Sequence, residues 1–484
     1  MNSCVPTRSI APTLQVVLLM SCCCAGGTTV GPDYKRPEVT PAPQFRSQIG
    51  ASEASSLADL PWWSVFNDKA LQKLATEALT NSYDLQAATA RIVQARALVG
   101  VAQADLYPQV GYDVFGGREK TFFPLELEGQ QHGNITFNSF GLALSSVWEL
   151  DLWGRVRRST EAARAKLFEQ QDVRRAVMLT LVSDVAAGYF RLLELDRQLA
   201  ISTESADVFK QTLDLFNRRF QAGQDSRLAV VRAQAAHDAS VARISELNRA
   251  IAQQENAISV LLGSYPRTIE RGMPLTEQVT PATPLGQTTE IIHRRPDILQ
   301  AEHAMMSANA EIGVAVANYF PRIGLSALFG GQAPEVDNVI DQNFNIWHIA
   351  GAISGPLFQG GRLQANYQAQ KAFWDESISQ YKKAVTGAFR EISDALIAQQ
   401  TLATERGARE SQIKALRESV DLAMSRYNVG RATYFEVLQA QQLLFPSEEA
   451  LAQTQGEQLV AVVNLYKALG GGWSLSEADW PQPK

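Results

Sequence analysis

Cysteine is nearly absent: the 484 residues include four, all at position 24 or earlier. The chain beyond them can hold neither a disulfide nor a cysteine-bound metal. Charge is sparse too, at 19% Asp, Glu, Lys and Arg with a formal net charge of −6. That balance excludes the basic stripe that a nucleic-acid partner demands. No uninterrupted run of 18 apolar residues occurs, so any membrane crossing is expected to fall to strands rather than to a helix. His132, His237, His293, His303 and His348 are scattered, without the spacing of metal ligands. There is no P-loop, nucleophile elbow or zinc motif, so no catalytic residue, metal or cofactor is expected. Proline, finally, is missing from two long stretches, 155–220 and 362–427.

The N-terminus reads as an address. Arg8 supplies a positive start, Leu14 to Met20 forms a short apolar run, and Leu19-Met20-Ser21-Cys22 follows. The run is too short to span a bilayer and fits a cleaved signal peptide over residues 1–21. A cysteine placed there resembles a bacterial lipobox, which implies acylation of Cys22, with Cys23 and Cys24 as alternatives. Acyl chains anchor a protein without inserting it as a spanning helix would. Residues 22–60 are rich in Pro, Ser and Ala without a period, and read as an extended arm.

The body of the chain is a tandem duplication. Asp105-Leu-Tyr-Pro-Gln-Val-Gly111 recurs as Asn318-Tyr-Phe-Pro-Arg-Ile-Gly324 at an offset of 213. From Leu150 onward the offset is 207, pairing Gly154-Arg155 with Gly361-Arg362 and Leu262-Gly263 with Leu469-Gly470. Two copies are too few for a solenoid. The expected boundaries are 61–263 for the first repeat, 264–290 for a linker, 291–470 for the second repeat and 471–484 for a tail.

Each copy has the same grammar: a helix (68–105 and 296–317), two strands, and a long helical hairpin. Strands are expected near 107–117 and 135–149, then near 319–331 and 344–356. There large apolar residues such as Val110, Tyr112, Leu142 and Leu144 alternate with small or polar ones. That period of two, with one apolar face, suits a transmembrane barrel around a wet lumen; a soluble sandwich would need a second sheet. The hairpins are expected at 155–262 and 362–469. Met178, Val182, Val185, Tyr189 and Leu192 step by three and four, the heptad signature of a coiled coil. A proline-free helix of this length reaches roughly 100 Å at 1.5 Å per residue, the dimension of a rod or a wall. Four strands cannot close a barrel, and open edges do not survive in lipid. Several chains must close together, and three would contribute twelve strands.

These motifs resemble the TolC-type outer-membrane factors of tripartite efflux pumps, in the NodT-like lipoprotein branch. The resemblance rests on Gly31-Pro-Asp-Tyr-Lys-Arg-Pro37, Trp62-Trp63, Trp148-Glu-Leu-Asp-Leu-Trp-Gly154, Arg294-Arg-Pro-Asp-Ile298 and Val463-Asn-Leu-Tyr-Lys-Ala-Leu-Gly-Gly-Gly-Trp473. It implies a mixed α and transmembrane β fold, assembled as a homotrimer with a twelve-stranded barrel, an α-helical periplasmic barrel and an equatorial belt. It implies a periplasmic adaptor and an inner-membrane transporter of the resistance-nodulation-division type as partners. The function implied is passive exit of drugs or small toxic compounds, with metal-ion efflux or protein secretion through the same duct as alternatives. A structural coiled-coil lipoprotein bridging envelope layers is a more distant reading, since a rod needs no amphipathic strands.

The hairpin tips carry the site residues. Gly223 and Gly430 suit helix C-termini, and Ser226 and Thr433 suit N-caps of the returning helices. In the family these tips meet the adaptor, and acidic residues six positions after the glycine close and charge the pore. That position holds Glu436 in the second hairpin and Ala229 in the first, with Phe435, Gln439, Gln442 and Tyr427 nearby. Thr433-x-x-Glu436 also reads as a capping box, so the carboxylate has two possible duties.

Overall fold

The computed structural model describes residues 29–38, 45–46, 56–61, 65–123, 133–281, 283–286 and 288–472. Cys22, Cys23, Cys24, Trp62, Trp63 and Trp473 lie outside them. The chain divides into two compact units: one of 1–37, 92–169 and 301–380, the other of 38–91, 170–300 and 381–484.

In chain order the main elements are α1 (Lys69–Asn81), α2 (Tyr83–Ala104), β1 (Gln109–Phe123), β2 (Gly133–Leu150), α3 (Arg155–Gln221) and α4 (Arg227–Leu261). The second copy gives α5 (Ile291–Arg294), α6 (Pro296–Ala317), β3 (Arg322–Ala333), β4 (Asn345–Ser354), α7 (Arg362–Asn428) and α8 (Tyr434–Ala468). The duplication is exact in helix length: α3 and α7 each have 67 residues, α4 and α8 each have 35.

The single opening helix expected over 68–105 is instead two. Asp68 caps α1 by accepting from the amides of Ala70 and Leu71, and the chain breaks at buried Ser82, where ψ turns to 127°. Arg295, at the 213 offset, repeats the break with ψ 124° and separates α5 from α6. Residues on this scale of the duplication keep their backbone even where side chains differ.

The first unit holds one antiparallel sheet in the order β1-β2-β3-β4. Its register puts Val114 opposite Leu142, Leu144 opposite Phe329, and Phe329 opposite Trp347. Since side chains alternate across a pleated sheet, these share one apolar face. Asp113, Ser145, Ser139 and Gln332 share the other, where Ser145 donates to Asp113 at 2.9 Å and Gln332 to Ser139 at 2.9 Å. Tyr112, Phe329, Trp347 and Ile349 are all exposed. A water-soluble sheet would cover them. The outer strands β1 and β4 each have a free edge among the described residues. β1 runs six residues past its expected end at 117, because Arg118 to Phe123 pairs with Gly133 to Asn138 despite its charge.

The segment joining β2 to α3 is tied down by its own motif. Trp148 donates from Nε1 to the Leu106 carbonyl at 3.0 Å, and Trp153 to that of Pro321 at 2.7 Å. Asp151 accepts from the amides of Val156 and Arg157 at 3.1 and 2.9 Å, satisfying the free N–H groups of the helix start.

The second unit is helical, with a core of Val185, Tyr189, Phe190, Leu192, Val385, Ile392, Val462 and Leu465. α3 does contain an 18-residue window apolar enough for a bilayer, but 61% of that window is buried, so it is core. Asp68, 1% exposed, also takes hydrogen bonds from Tyr189 Oη at 2.9 Å, Gln278 Nε2 at 2.8 Å and the Met273 amide at 3.2 Å. A buried carboxylate with so many donors is stable where an unpaired one would not be. Buried Arg295 is met by Asp297 and Glu391, each at 2.7 Å, and by the Ala468 carbonyl.

Candidate functional site

Both hairpin tips are built by one device. Gly223 and Gly430 have φ of 71° and 73°, a left-handed conformation that glycine adopts without strain. The Gly223 amide donates to Phe220 O and the Gln224 amide to Arg219 O; Gly430 donates to Tyr427 O and Arg431 to Arg426 O. These are paired Schellman closures, which satisfy the last carbonyls of α3 and α7.

The returning helices start differently. Ser226 caps α4 with its side chain, accepting from Ala229 N at 3.3 Å. Thr433 occupies the same position before α8, yet makes no side-chain capping bond. The capping box expected of Thr433 and Glu436 is therefore not formed. Glu436 turns instead toward Arg426, 3.6 Å away. Arg219, the equivalent of Arg426, likewise faces Asp225 at 3.6 Å. Each of these arginines thus faces an acid in or just after its own turn. The Arg426–Glu436 pair is exposed and the Arg219–Asp225 pair half-buried, and at 3.6 Å each contributes little stability.

Aromatic rings join the two tips. Tyr434 is buried, edge-on to Phe216 at 5.1 Å and to Tyr427 at 5.0 Å, and its hydroxyl lies 2.8 Å from Thr212 Oγ1. Arg219 bonds the Tyr427 hydroxyl and lies over its ring. Arg232 stacks on Phe435 at 4.5 Å. Between the tips lies a cleft of about 500 Å³, lined among others by Phe216, Arg219, Asp225, Arg232 and Phe435. Gln439 and Gln442 are exposed on α8, away from the buried stripe of Val437, Leu438 and Gln441. Reading the tips residue by residue missed Tyr434, Arg219, Arg232 and Arg426. The signal for two of them is that Arg219 and Arg426 recur at the 207 offset, each four residues before its turn glycine.

Among the described residues no group of three or more His, Cys, Asp or Glu is placed to hold a metal ion. The arrangement is mechanical: two helical hairpins locked side by side through rings, with charged groups at their ends.

Residues 74–264 and 288–471 match the family described as outer membrane efflux protein. The toluene efflux pump outer membrane protein TtgC of Pseudomonas putida is 32% identical over 452 residues, 92% of this chain and 93% of that protein. The cation efflux system protein CusC of Escherichia coli is 31% identical over 450 residues, 92% of this chain and 96% of that one. Among solved structures, the open-state MtrE outer membrane channel of Neisseria gonorrhoeae superposes with a TM-score of 0.83 at 29% identity. That likeness covers 92% of this chain and 99% of the other.

Proposed function

The chain belongs to the outer membrane efflux protein family, and from that premise we propose how it works as a duct. It is an outer-membrane channel component of an efflux pump, with its sheet in the Gram-negative outer membrane and its helical mass in the periplasm. Our reading is that three copies join free β1 and β4 edges into a twelve-stranded barrel. The observation that carries it is the sheet itself, apolar on an uncovered face and open at both edges, which lipid tolerates only in a closed barrel.

The long hairpins then continue the barrel as a tube, and their tips form its periplasmic mouth. The second hairpin closes that mouth, with Tyr427, Phe435, Glu436, Gln439 and Gln442 near the threefold axis. Gly223, Ser226, Gly430 and Thr433 belong to the surface that meets a periplasmic adaptor, which hands over cargo from an inner-membrane transporter. Acylated Cys22 holds the N-terminus to the membrane. The cargo is a drug or small toxic organic compound, in keeping with the toluene pump relative; the similarly close cation relative keeps metal ions as the competing reading. The two differ in which compounds become toxic when the gene is deleted. Purified mature protein should run as a trimer by native mass spectrometry and give stepwise currents in planar bilayers. A stable, water-soluble monomer without conductance overturns the architecture.

A further inference from the structure

The apolar face of the sheet changes character along its length. On β2 it runs from Leu150 through Trp148, Leu144 and Leu142 to Phe140, with Ile323, Leu325 and Phe329 opposite on β3. Leu150 and Phe140 are ten positions apart. At about 3.4 Å per residue and a tilt of about 40°, that stretch covers roughly 26 Å of depth. A barrel's lipid-facing apolar band has this height, about 25 Å.

The β1–β2 hairpin continues beyond the band. It stays paired from Gly117 opposite Ser139 to Phe123 opposite Gly133, past the last pair that β2 makes with β3, Phe140 with Ala333. α2 leads into β1 and β2 leads out to α3 at the other end, so the projecting end is the one remote from the helices. Alternation carries the apolar face on from Val114 and Gly116 to Arg118, Lys120 and Phe122, directly opposite Asn138, Thr136 and Asn134. All six are exposed. Glu119, the acid between the two cations, falls on the other face with Asp113. Arg118 and Lys120 meet no carboxylate among the described residues. A chain with 50 acidic against 44 basic residues thus presents a doubly cationic, acid-free row at this point. Arg118 lies two positions past Gly116, the partner of Phe140. That is about 5 Å above the band, the level of lipid headgroups.

We infer that this row binds the phosphorylated sugar headgroup of an outer-leaflet glycolipid. The Arg118 fork suits a phosphate in two parallel hydrogen bonds, and Lys120 adds a point charge. Asn134, Thr136 and Asn138 offer amide and hydroxyl groups to sugar hydroxyls, and Phe122 offers a ring. Acyl chains of the same lipid lie below, along Val114, Leu142 and Phe140. A free phosphate would use the cations alone, whereas cations stacked directly above an exposed apolar band match a molecule with both parts. The inference rests on the sheet lying in the outer membrane, and it adds the chemistry of the lipid that borders it.

The test uses the full-length channel, delipidated in detergent and titrated with an acylated glucosamine disaccharide carrying two phosphates. The same lipid without phosphates is the control, and bound lipid is counted by native mass spectrometry. The phosphorylated lipid should bind roughly tenfold more tightly, as expected for two basic groups facing an anionic headgroup. Arg118→Gln with Lys120→Gln should abolish that preference, the charge-keeping exchange Arg118→Lys with Lys120→Arg should retain most of it, and Glu119→Gln should leave it unchanged. Inorganic pyrophosphate in large excess should not displace the lipid. Equal binding of the two lipids by the unmodified channel, a preference that survives loss of both cations, or displacement by pyrophosphate overturns the proposal. Bilayer conductance of the same preparations keeps the two readings apart. A conducting trimer without the preference refutes the glycolipid site alone, whereas a non-conducting one refutes the duct.

Discussion

The two copies of the repeat have equal helices and unequal surroundings. In the first copy, Asp151 caps α3 and Trp148 and Trp153 fasten the strand-to-helix segment. In the second, the residue equivalent to Asp151 is Phe358, which with Leu357 stands almost wholly in solvent. β4 is exposed along its whole length, and α7 has far fewer buried residues than α3. Both copies leave apolar surface for another molecule to cover, at Val110, Tyr112 and Val114 in the first and at Trp347, Ile349, Leu357 and Phe358 in the second, but only the first fastens its strand-to-helix segment through Asp151, Trp148 and Trp153. Divergence after duplication thus changed how each strand-to-helix segment is held, while both sheet edges still await another chain, as a channel closed from several identical chains requires.

That contrast can be broken most severely at its exposed end. Replacing Leu357 and Phe358 together with Ser should leave the chain's secondary structure intact by circular dichroism but dissolve the trimer in native mass spectrometry. Each copy forgoes about 1.5–3 kcal/mol for each side chain that assembly would bury. An unchanged trimer would show that these residues face lipid or water instead.

A second difference is a buried acid present in only one copy. Glu194 in α3 is 1% exposed, and its equivalent in α7 is Thr401. Burial raises its pKa to about 7, the nearby Glu457 adds to the rise, and Arg191 and Gln198 work against it. Because the folded value lies above the unfolded one, folding favours the protonated form. The contribution is full below the ordinary carboxylate range and is lost as pH climbs through about 7, amounting to a few kcal/mol at most. Thermal unfolding should therefore show a melting temperature that falls over this window, with Glu194→Gln flattening the dependence. Thr401→Val should leave the pH profile alone.

The cap at the start of α3 sets a smaller effect. Asp151→Ala leaves two amides of the first turn without their partner and should cost about 2 kcal/mol in chemical denaturation. Smaller still is the contrast at the tips. Ser226→Ala should cost about 1 kcal/mol of local stability, measured as faster amide exchange in the first turn of α4. Thr433→Ala should be nearly silent, since that threonine makes no capping bond.

How legible this was follows from range. The long helices, their shared lengths and the glycine tips could be read because heptads and C-terminal glycines are local signals. The apolar alternation of β1 to β4 was visible for the same reason. The break at Ser82 was not, since a serine interrupts a helix only when neighbouring packing stabilises the turn. The buried network of Asp68 was not legible either, because Tyr189 and Gln278 lie 121 and 210 residues away. At the tips the Thr433 box is a sound local pattern that the fold does not use, and Glu436 faces Arg426 across the turn instead. Arg232 gave no local signal at all, since its partner ring belongs to the other hairpin.

The central claim is that the second hairpin closes the mouth of the channel. The duplication supplies a matched pair of positions to test it: Gln439 on α8 and Arg232 on α4. With all four native cysteines at position 24 or earlier, a cysteine placed at either site stands alone in the tips. Single-channel current should be recorded for each variant before and after oxidation, then after reduction. Gln439→Cys should cross-link between copies and lose most of its current on oxidation, with recovery on reduction, while Arg232→Cys keeps its current throughout. Current lost only in Arg232→Cys, or in neither variant, would contradict closure by the second hairpin.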